Sequence, residues 1–293
     1  NASKLAFAPG LHYLCIQRLP NMIEQIISRR LRIALPQVQG TVRLLRDGAT
    51  IPFISRYRKE ATGSLDEVQV GAVKEQLERL TELESRRQTI LTTIEEQGKL
   101  TPELRRRIEE CWDPVELEDL YLPYKPKRRT RATVARERGL EPLADLVMAQ
   151  RARDAAQQAR RYVSAEVPTP EDALAGACDI IAERISENEQ ARNGLRRTFA
   201  REGIVHTKVV KGKEAEGAKY SDYFDAATPL RSISSHRFLA MRRGADEGVL
   251  KITIDIDADR CIEGLCRQFI RPGSATRTWM EAAAADSFKR LMR

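Results

Sequence analysis

The stretch from Ser64 to Gly98 constrains the fold more than any other part of this chain. Val73, Leu77, Leu80, Leu83, Ile90, Leu91 and Ile94 recur there at helical spacing, so one face of a long helix is apolar. The pattern Ser64-x-x-Glu67 at its start has the form of a capping box, and Gly98 marks its end. At 1.5 Å per residue such a helix reaches roughly 45 Å, long enough to act as a spine for shorter helices. The rest of the chain agrees. Ile23, Ile26, Ile27 and Leu31 share one helical face, and Val38, Val42 and Leu45 repeat the pattern before Asp47 and Gly48 stop it. Thr101-Pro102 and Thr169-Pro170 each place an N-cap before a first-turn proline, predicting helices to about Cys111 and about Ser186. Asp113-Pro114 and Pro142 open two more, and Ala191 to Phe199 completes the helical run. Strand signals are confined to Ile204–Val210, rich in β-branched residues, and Val249–Ile256, where polar and apolar positions alternate. The expected fold is mainly α: multi-helical, with a long spine helix, helix-turn-helix-like modules and a small β element near 204–210 and 249–256.

Charge is concentrated where that helical pattern breaks. Between Tyr124 and Gly139 stand Lys125, Lys127, Arg128, Arg129, Arg131, Arg136 and Arg138, opposed by Glu137 alone. Prolines on both sides of Lys125 prevent it from continuing a helix, which predicts a stiff, extended, solvated segment. The whole chain carries +8, with 50 Lys and Arg against 42 Asp and Glu, a balance that suits a polyanionic partner. Tyr121 and Tyr124 lie beside the cations, where a ring can stack on a base. A second cluster, Arg56-Tyr57-Arg58-Lys59, again mixes an aromatic ring with charge. The candidate nucleic-acid contacts are therefore Tyr124, Lys125, Lys127, Arg128, Arg129 and Arg131, with Arg56, Arg58 and Lys59. Each group has a structural alternative: salt bridging to the acidic spine for the first, and for the second an interdomain brace in which arginines pair with Glu60, Asp66 or Glu67.

The run Glu118-Asp-Leu-Tyr121-Leu-Pro-Tyr124-Lys-Pro-Lys127-Arg-Arg-Thr130 resembles a signature of the Tex family of bacterial transcription accessory proteins. Gly48-Ala-Thr-Ile-Pro52-Phe-Ile-Ser-Arg56-Tyr-Arg-Lys-Glu60-Ala-Thr-Gly63 and Glu95-Glu-Gln-Gly98-Lys-Leu-Thr-Pro102 are similar to two earlier blocks of that family. Gly212 to Asp225, Ser235-His236-Arg237, Arg243-Gly244 and Glu247 to Leu250 resemble later ones. The resemblance runs in order from about Met22 to the last residue. It implies the N-terminal portion of a longer protein whose RNase H-like domain, helix-hairpin-helix motifs and OB-type RNA-binding barrel follow this region. It also implies nucleic-acid binding for the full-length protein and transcription machinery as a possible partner. Residues 1–21 have no counterpart and are expected to be vector-derived or an upstream extension. A helical domain is expected over 22–200 and a second helix-rich module over 201–293.

The search for catalysis returns near misses. Gly212 and Gly217 have phosphate-loop spacing, but Ala218 stands where the lysine belongs and Lys219 where Ser or Thr belongs. Asp255, Asp257 and Asp259 alternate without the glycine and later glutamate of a calcium loop, and read as a solvated strand face followed by Asp259 as an N-cap. The group Ser235-His236-Arg237 reads as the start of a capped helix. Five scattered cysteines (Cys15, Cys111, Cys178, Cys261, Cys266) fit reduced thiols, and with His12, His206 and His236 they do not compose a zinc site. The expectation is a cytoplasmic protein that is not an enzyme, has no metal or cofactor and no membrane span, and whose oligomeric state is open. It would bind RNA or DNA weakly through this region without reading sequence, or serve as a helical scaffold that positions other domains.

Overall fold

The computed structural model describes residues 22–126, 129–151 and 154–292; residues 1–21, with His12 and Cys15, lie outside it. The described residues form two compact units that divide between Glu118 and Asp119. The first unit is helical throughout: α1 (22–31), α2 (Leu35–Arg46), α3 (Ile51–Tyr57), α4 (Lys59–Thr62), α5 (Glu67–Glu96) and α6 (Pro102–Glu110), followed by α7 (Pro114–Tyr121), within which the division falls. Pro36, Pro52 and Pro102 sit in the first turns of their helices, where a missing amide hydrogen costs nothing.

The 30-residue α5 is the predicted spine, and it buries Val70, Val73, Leu80, Leu83, Ile90, Leu91 and Ile94 along one side. Its cap lies two residues later than the sequence pattern predicts. Ser64 has φ 67°, in the left-handed region, so it cannot supply the extended backbone that an N-cap needs. Asp66 does, at φ −78° and ψ 174°, and it forms the reciprocal box with Gln69. The Gln69 amide donates to Asp66 Oδ1 at 2.7 Å and the Asp66 amide to Gln69 Oε1 at 3.1 Å. Farther along the same helix Arg87 is buried, with its guanidinium 4.3 Å from the centroid of Trp112, paired with Glu84 and donating to the Glu109 carbonyl.

The second unit contains α8 (Arg131–Glu137), α9 (Glu141–Ala149), α10 (Ala155–Ala159), α11 (Pro170–Glu187) and α12 (Glu189–Glu202), then β1 (Ile204–Val209), β2 (Asp225–Pro229), α13 (Ser235–Asp246), β3 (Leu250–Asp255), α14 (Ala258–Phe269) and α15 (Arg277–Leu291). Its core surrounds α11, whose Ala173, Ala177, Ile180, Ile181 and Ile185 meet Leu140, Leu143 and Val147 together with Met280, Ala283, Ala284 and Phe288 of α15. Alanines on both α11 and α15 let the two backbones approach closely. The helical and sheet-bearing stretches on either side of residue 200 belong to this one unit.

β1 and β3 form where the sequence predicts strands. β2, which the sequence does not signal, completes an antiparallel sheet in the order β2-β1-β3. Asp-Ala-Ala-Thr-Pro has poor strand propensity, but as an edge it needs ladder bonds on one side only, and Pro229 falls at its end. β3 ends at Asp255, and Asp257 rather than Asp259 caps α14, accepting from the Arg260 amide at 3.0 Å. Asp259 lies in the first turn beyond that cap.

One approach in the first unit leaves no room for a side chain. A Cβ on Gly40 of α2 would stand 1.9 Å from the carbonyl oxygen of Ala61 in α4, a backbone atom that cannot swing aside. Gly40→Ala is expected to destabilise the protein by roughly 1–3 kcal/mol or more, read as a lower midpoint in chemical denaturation. A midpoint equal to the parent's would mean that α2 and α4 do not meet at this distance.

Candidate nucleic-acid interface

The two groups of candidate residues lie in different units. In the second unit the chain leaves α7 through a single 3-10 turn, Leu122–Tyr124, which carries Pro123 in its first turn. Tyr121 is buried, which takes its ring out of consideration for stacking, whereas Tyr124 is half-buried. Lys125 is exposed with extended backbone (φ −63°, ψ 130°), as the flanking prolines predict. Lys127 and Arg128 lie outside the described residues.

The extended stretch is shorter than predicted, because Thr130 caps α8 by accepting from the Thr133 amide at 3.1 Å and Arg131 is already helical. The cations that follow are engaged by acids. Arg129 pairs with Glu137 at 2.8 Å, and Arg131 reaches Asp286 at 3.0 Å and Asp179 at 3.2 Å. Arg136 donates to the buried Glu183 at 2.6 Å, and Arg138 stands 3.9 Å from Glu166. The acids come from the run itself, from α11, α15 and the loop before α11, not from the spine helix. A cleft of about 920 Å³ beside α8 is lined by Arg129, Arg131 and Arg138 and equally by Glu166, Asp172 and Asp179, so its wall is charge-balanced.

In the first unit Arg56, Arg58 and Lys59 span the junction of α3 and α4, and all three are exposed. Arg58 pairs loosely with Glu60 at 3.7 Å, and its guanidinium lies 5.7 Å from the Phe53 ring centroid. Among the described residues neither Arg56 nor Lys59 takes part in an ion pair, and Lys125 takes part in none either.

The acid that anchors the second unit beside this segment, Asp119, belongs to no motif that singles it out in the sequence. Asp119 on α7 is 3% exposed, and Arg192 and Arg196 of α12 converge on its carboxylate at 2.6 Å and 2.5 Å. Burial pushes its pKa up, but hydrogen bonds and charge from the two arginines outweigh that, so the folded value lies below the ordinary one. Burial likewise pushes up Asp179, where the charges of Arg131 and Arg290 only partly compensate, while its neighbour Asp286 is held low by the same arginines despite its own desolvation. The i, i+4 spacing of Arg192 and Arg196 is the sequence signal; their buried target is visible only in three dimensions.

The remaining motifs are structural. Lys219 of the phosphate-loop near miss pairs with Glu247 at 2.8 Å, beside a small cluster of Tyr220, Val249 and Leu250. The Ser234 hydroxyl meets His236 at 3.3 Å instead of capping α13. Cys111, Cys178, Cys261 and Cys266 are free, and burial lifts the Cys178 thiol to about 11. Among the described residues, no group of three or more His, Cys, Asp or Glu could hold a metal ion, and no helix is long and apolar enough to cross a membrane.

Comparison with known proteins matches residues 21–95 to the Tex-like protein N-terminal domain and residues 150–290 to the Tex central region. The chain belongs to the Tex family. Its Tex relatives include the transcriptional accessory protein Tex of Neisseria gonorrhoeae, 47% identical over 81% of this chain and 31% of that protein. Protein YhgF of Escherichia coli K12 is 44% identical over 91% of this chain and 35% of its own length. The human S1 RNA-binding domain-containing protein 1 is 28% identical over 92% of this chain and 28% of its own. This Tex chain thus spans about a third of the length of the curated relatives it matches. The run Glu118 to Thr130, which lies between the two matched regions, contains both the buried Asp119 and the solvated Lys125.

Replacing Asp119 by Asn is expected to cost about 1.5–3 kcal/mol at pH 7, the worth of hydrogen bonds to a charged group. A lowered folded pKa contributes stability that is complete above the unfolded value and lost as pH falls through the folded one. The gap between parent and D119N should therefore hold from pH 7 to 5 and close below about pH 4, near the ordinary Asp value. Urea titrations across that range measure it, and a gap that persists unchanged to pH 2 would contradict the assignment.

Proposed function

We propose that this chain is a non-catalytic part of a cytoplasmic, transcription-associated protein, and that it binds RNA or DNA weakly through sequence-independent phosphate contacts. The observation that supports this reading is the set of exposed cations without acid partners among the described residues, Arg56, Lys59 and Lys125, in a chain of net charge +8. Phosphate neutralisation needs such cations and carries no sequence information. The names of the relatives, one a transcriptional accessory protein and another an S1 RNA-binding domain-containing protein, agree with it. In this reading Lys125, Lys127, Arg128, Arg129 and Arg131 form one phosphate track with Tyr124 beside it, and Arg56, Arg58 and Lys59 form another. Arg129 and Arg131 have highly exposed side chains, at 71% and 66%, so exchanging a carboxylate for a phosphate costs them little.

A second reading has its own support. Arg131 joins α8 to α11 and α15 through Asp179 and Asp286, which suits a scaffold that holds its helices in place and has little intrinsic affinity for nucleic acid.

Fluorescence anisotropy of labelled RNA and duplex DNA over a salt series separates the two. Replacing Arg56, Arg58 and Lys59 by Gln, or Lys125, Lys127, Arg128 and Arg129 by Gln, should lower affinity and reduce the log-log salt slope by roughly 0.7–0.9 for each phosphate no longer neutralised. Absence of binding by the parent at low salt would leave the scaffold reading standing alone.

A further inference from the structure

The α3 helix turns an unusual face to water. It buries Ile54 and Ser55, while Phe53, Arg56 and Tyr57 lie at i, i+3 and i+4 on an exposed side. Phe53 is 42% exposed and Tyr57 69%, so two large rings remain solvated in a unit that buries most of its other apolar side chains. Their centroids are 5.7 Å apart with the planes inclined at 42°, an arrangement in which neither ring covers the face of the other. The Arg58 guanidinium stands over Phe53, and Arg56 and Lys59, one residue before and two after Tyr57, have no ion-pair partners among the described residues.

We infer that Phe53 and Tyr57 form a stacking platform for unpaired bases, with Tyr57 as the principal ring, so that this end of the first unit selects single-stranded nucleic acid over duplex. The inference rests on the phosphate-contact reading above and names the form of polyanion that this site takes. Every base has a π face, and an exposed aromatic ring stacks on it whatever the sequence. In a duplex those faces are already covered by neighbouring base pairs, so a ring fixed on a helix surface gains nothing from it. A single strand offers bases and phosphates together, which matches rings and cations alternating over seven residues. The charge here favours a nucleic acid over a protein partner, since Arg56, Arg58 and Lys59 face a single acid, Glu60, within the same segment.

The test uses the whole chain with a labelled 12-nucleotide RNA, alone and annealed to its complement, across a salt series. Tyr57→Ala should weaken single-strand binding roughly 5- to 140-fold, the factor carried by one base–aromatic stack. It should leave the salt slope and the duplex affinity unchanged, and Tyr57→Phe should bind like the parent. Phe53→Ala should produce a smaller loss of the same kind, and unfolding midpoints of all variants verify that the fold is intact. If the parent binds and Arg56→Gln with Lys59→Gln lowers the slope, but Tyr57→Ala binds single strands like the parent, the platform is overturned and the phosphate reading survives. If Tyr57→Ala weakens single strand and duplex alike, the selectivity is overturned. If the parent binds neither probe, both readings fall and the rings are left as a protein-docking patch.

Discussion

Asp179 and Glu183, one turn apart on α11, each take an arginine from the neighbouring basic segment and tie it to the core of the second unit. Glu183 is almost fully buried and takes a hydrogen bond from the Thr130 hydroxyl at 3.0 Å and the charge of Arg136 at 2.6 Å. A carboxylate at that depth needs hydrogen-bonding and charged partners, and Thr130 and Arg136 supply two of them. Thr130 is also the N-cap of α8, so one buried acid fixes where that helix starts and therefore where the extended segment stops. Asp179 and Asp286 then hold Arg131 and Arg290 between α11 and α15. The acids of α11 thus engage Arg131 and Arg136, while Lys125 lies outside these pairs.

Charge is buried in two ways in this protein. In the second unit, carboxylates are buried and arginines reach in from the rim, as at Asp119, where the arginine side chains remain 27% and 38% exposed. The first unit does the same at Glu24, which Arg46 reaches at 3.5 Å, but it also buries a cation, Arg87, whose guanidinium meets the face of Trp112. A ring quadrupole attracts the guanidinium without needing a second buried charge of opposite sign, although Glu84 also contributes one.

Helix positions were readable from the sequence because apolar periodicity and first-turn prolines are local signals, and α5, α6 and α11 formed where those signals placed them. The cap of α5 was less legible, since Ser64 and Asp66 carry equally suitable side chains and only the left-handed backbone at Gly63 and Ser64 decides between them. β2 was invisible because its sequence has no strand character, and it exists because β1 offers a free edge. At the candidate interface, the existence of the cation-rich run was plain while its pairing was not. Glu183 lies 47 positions downstream of Arg136 and Asp286 lies 155 downstream of Arg131, separations that local pattern cannot bridge.

The order of strands in the sheet has a consequence for how the protein is made. β1 occupies the centre, with β2 on one side and β3 on the other, and β3 is the last of the three to be synthesised. At about 5–20 residues per second, several seconds separate the emergence of β1 from that of β3. Throughout that interval the nascent chain carries Ile204–Val209 with at least one row of backbone donors and acceptors unpaired, ready to accept any extended segment that arrives first. Lys208 within the strand and Lys211 just after it give that open edge a positive charge that disfavours pairing with a second copy of itself.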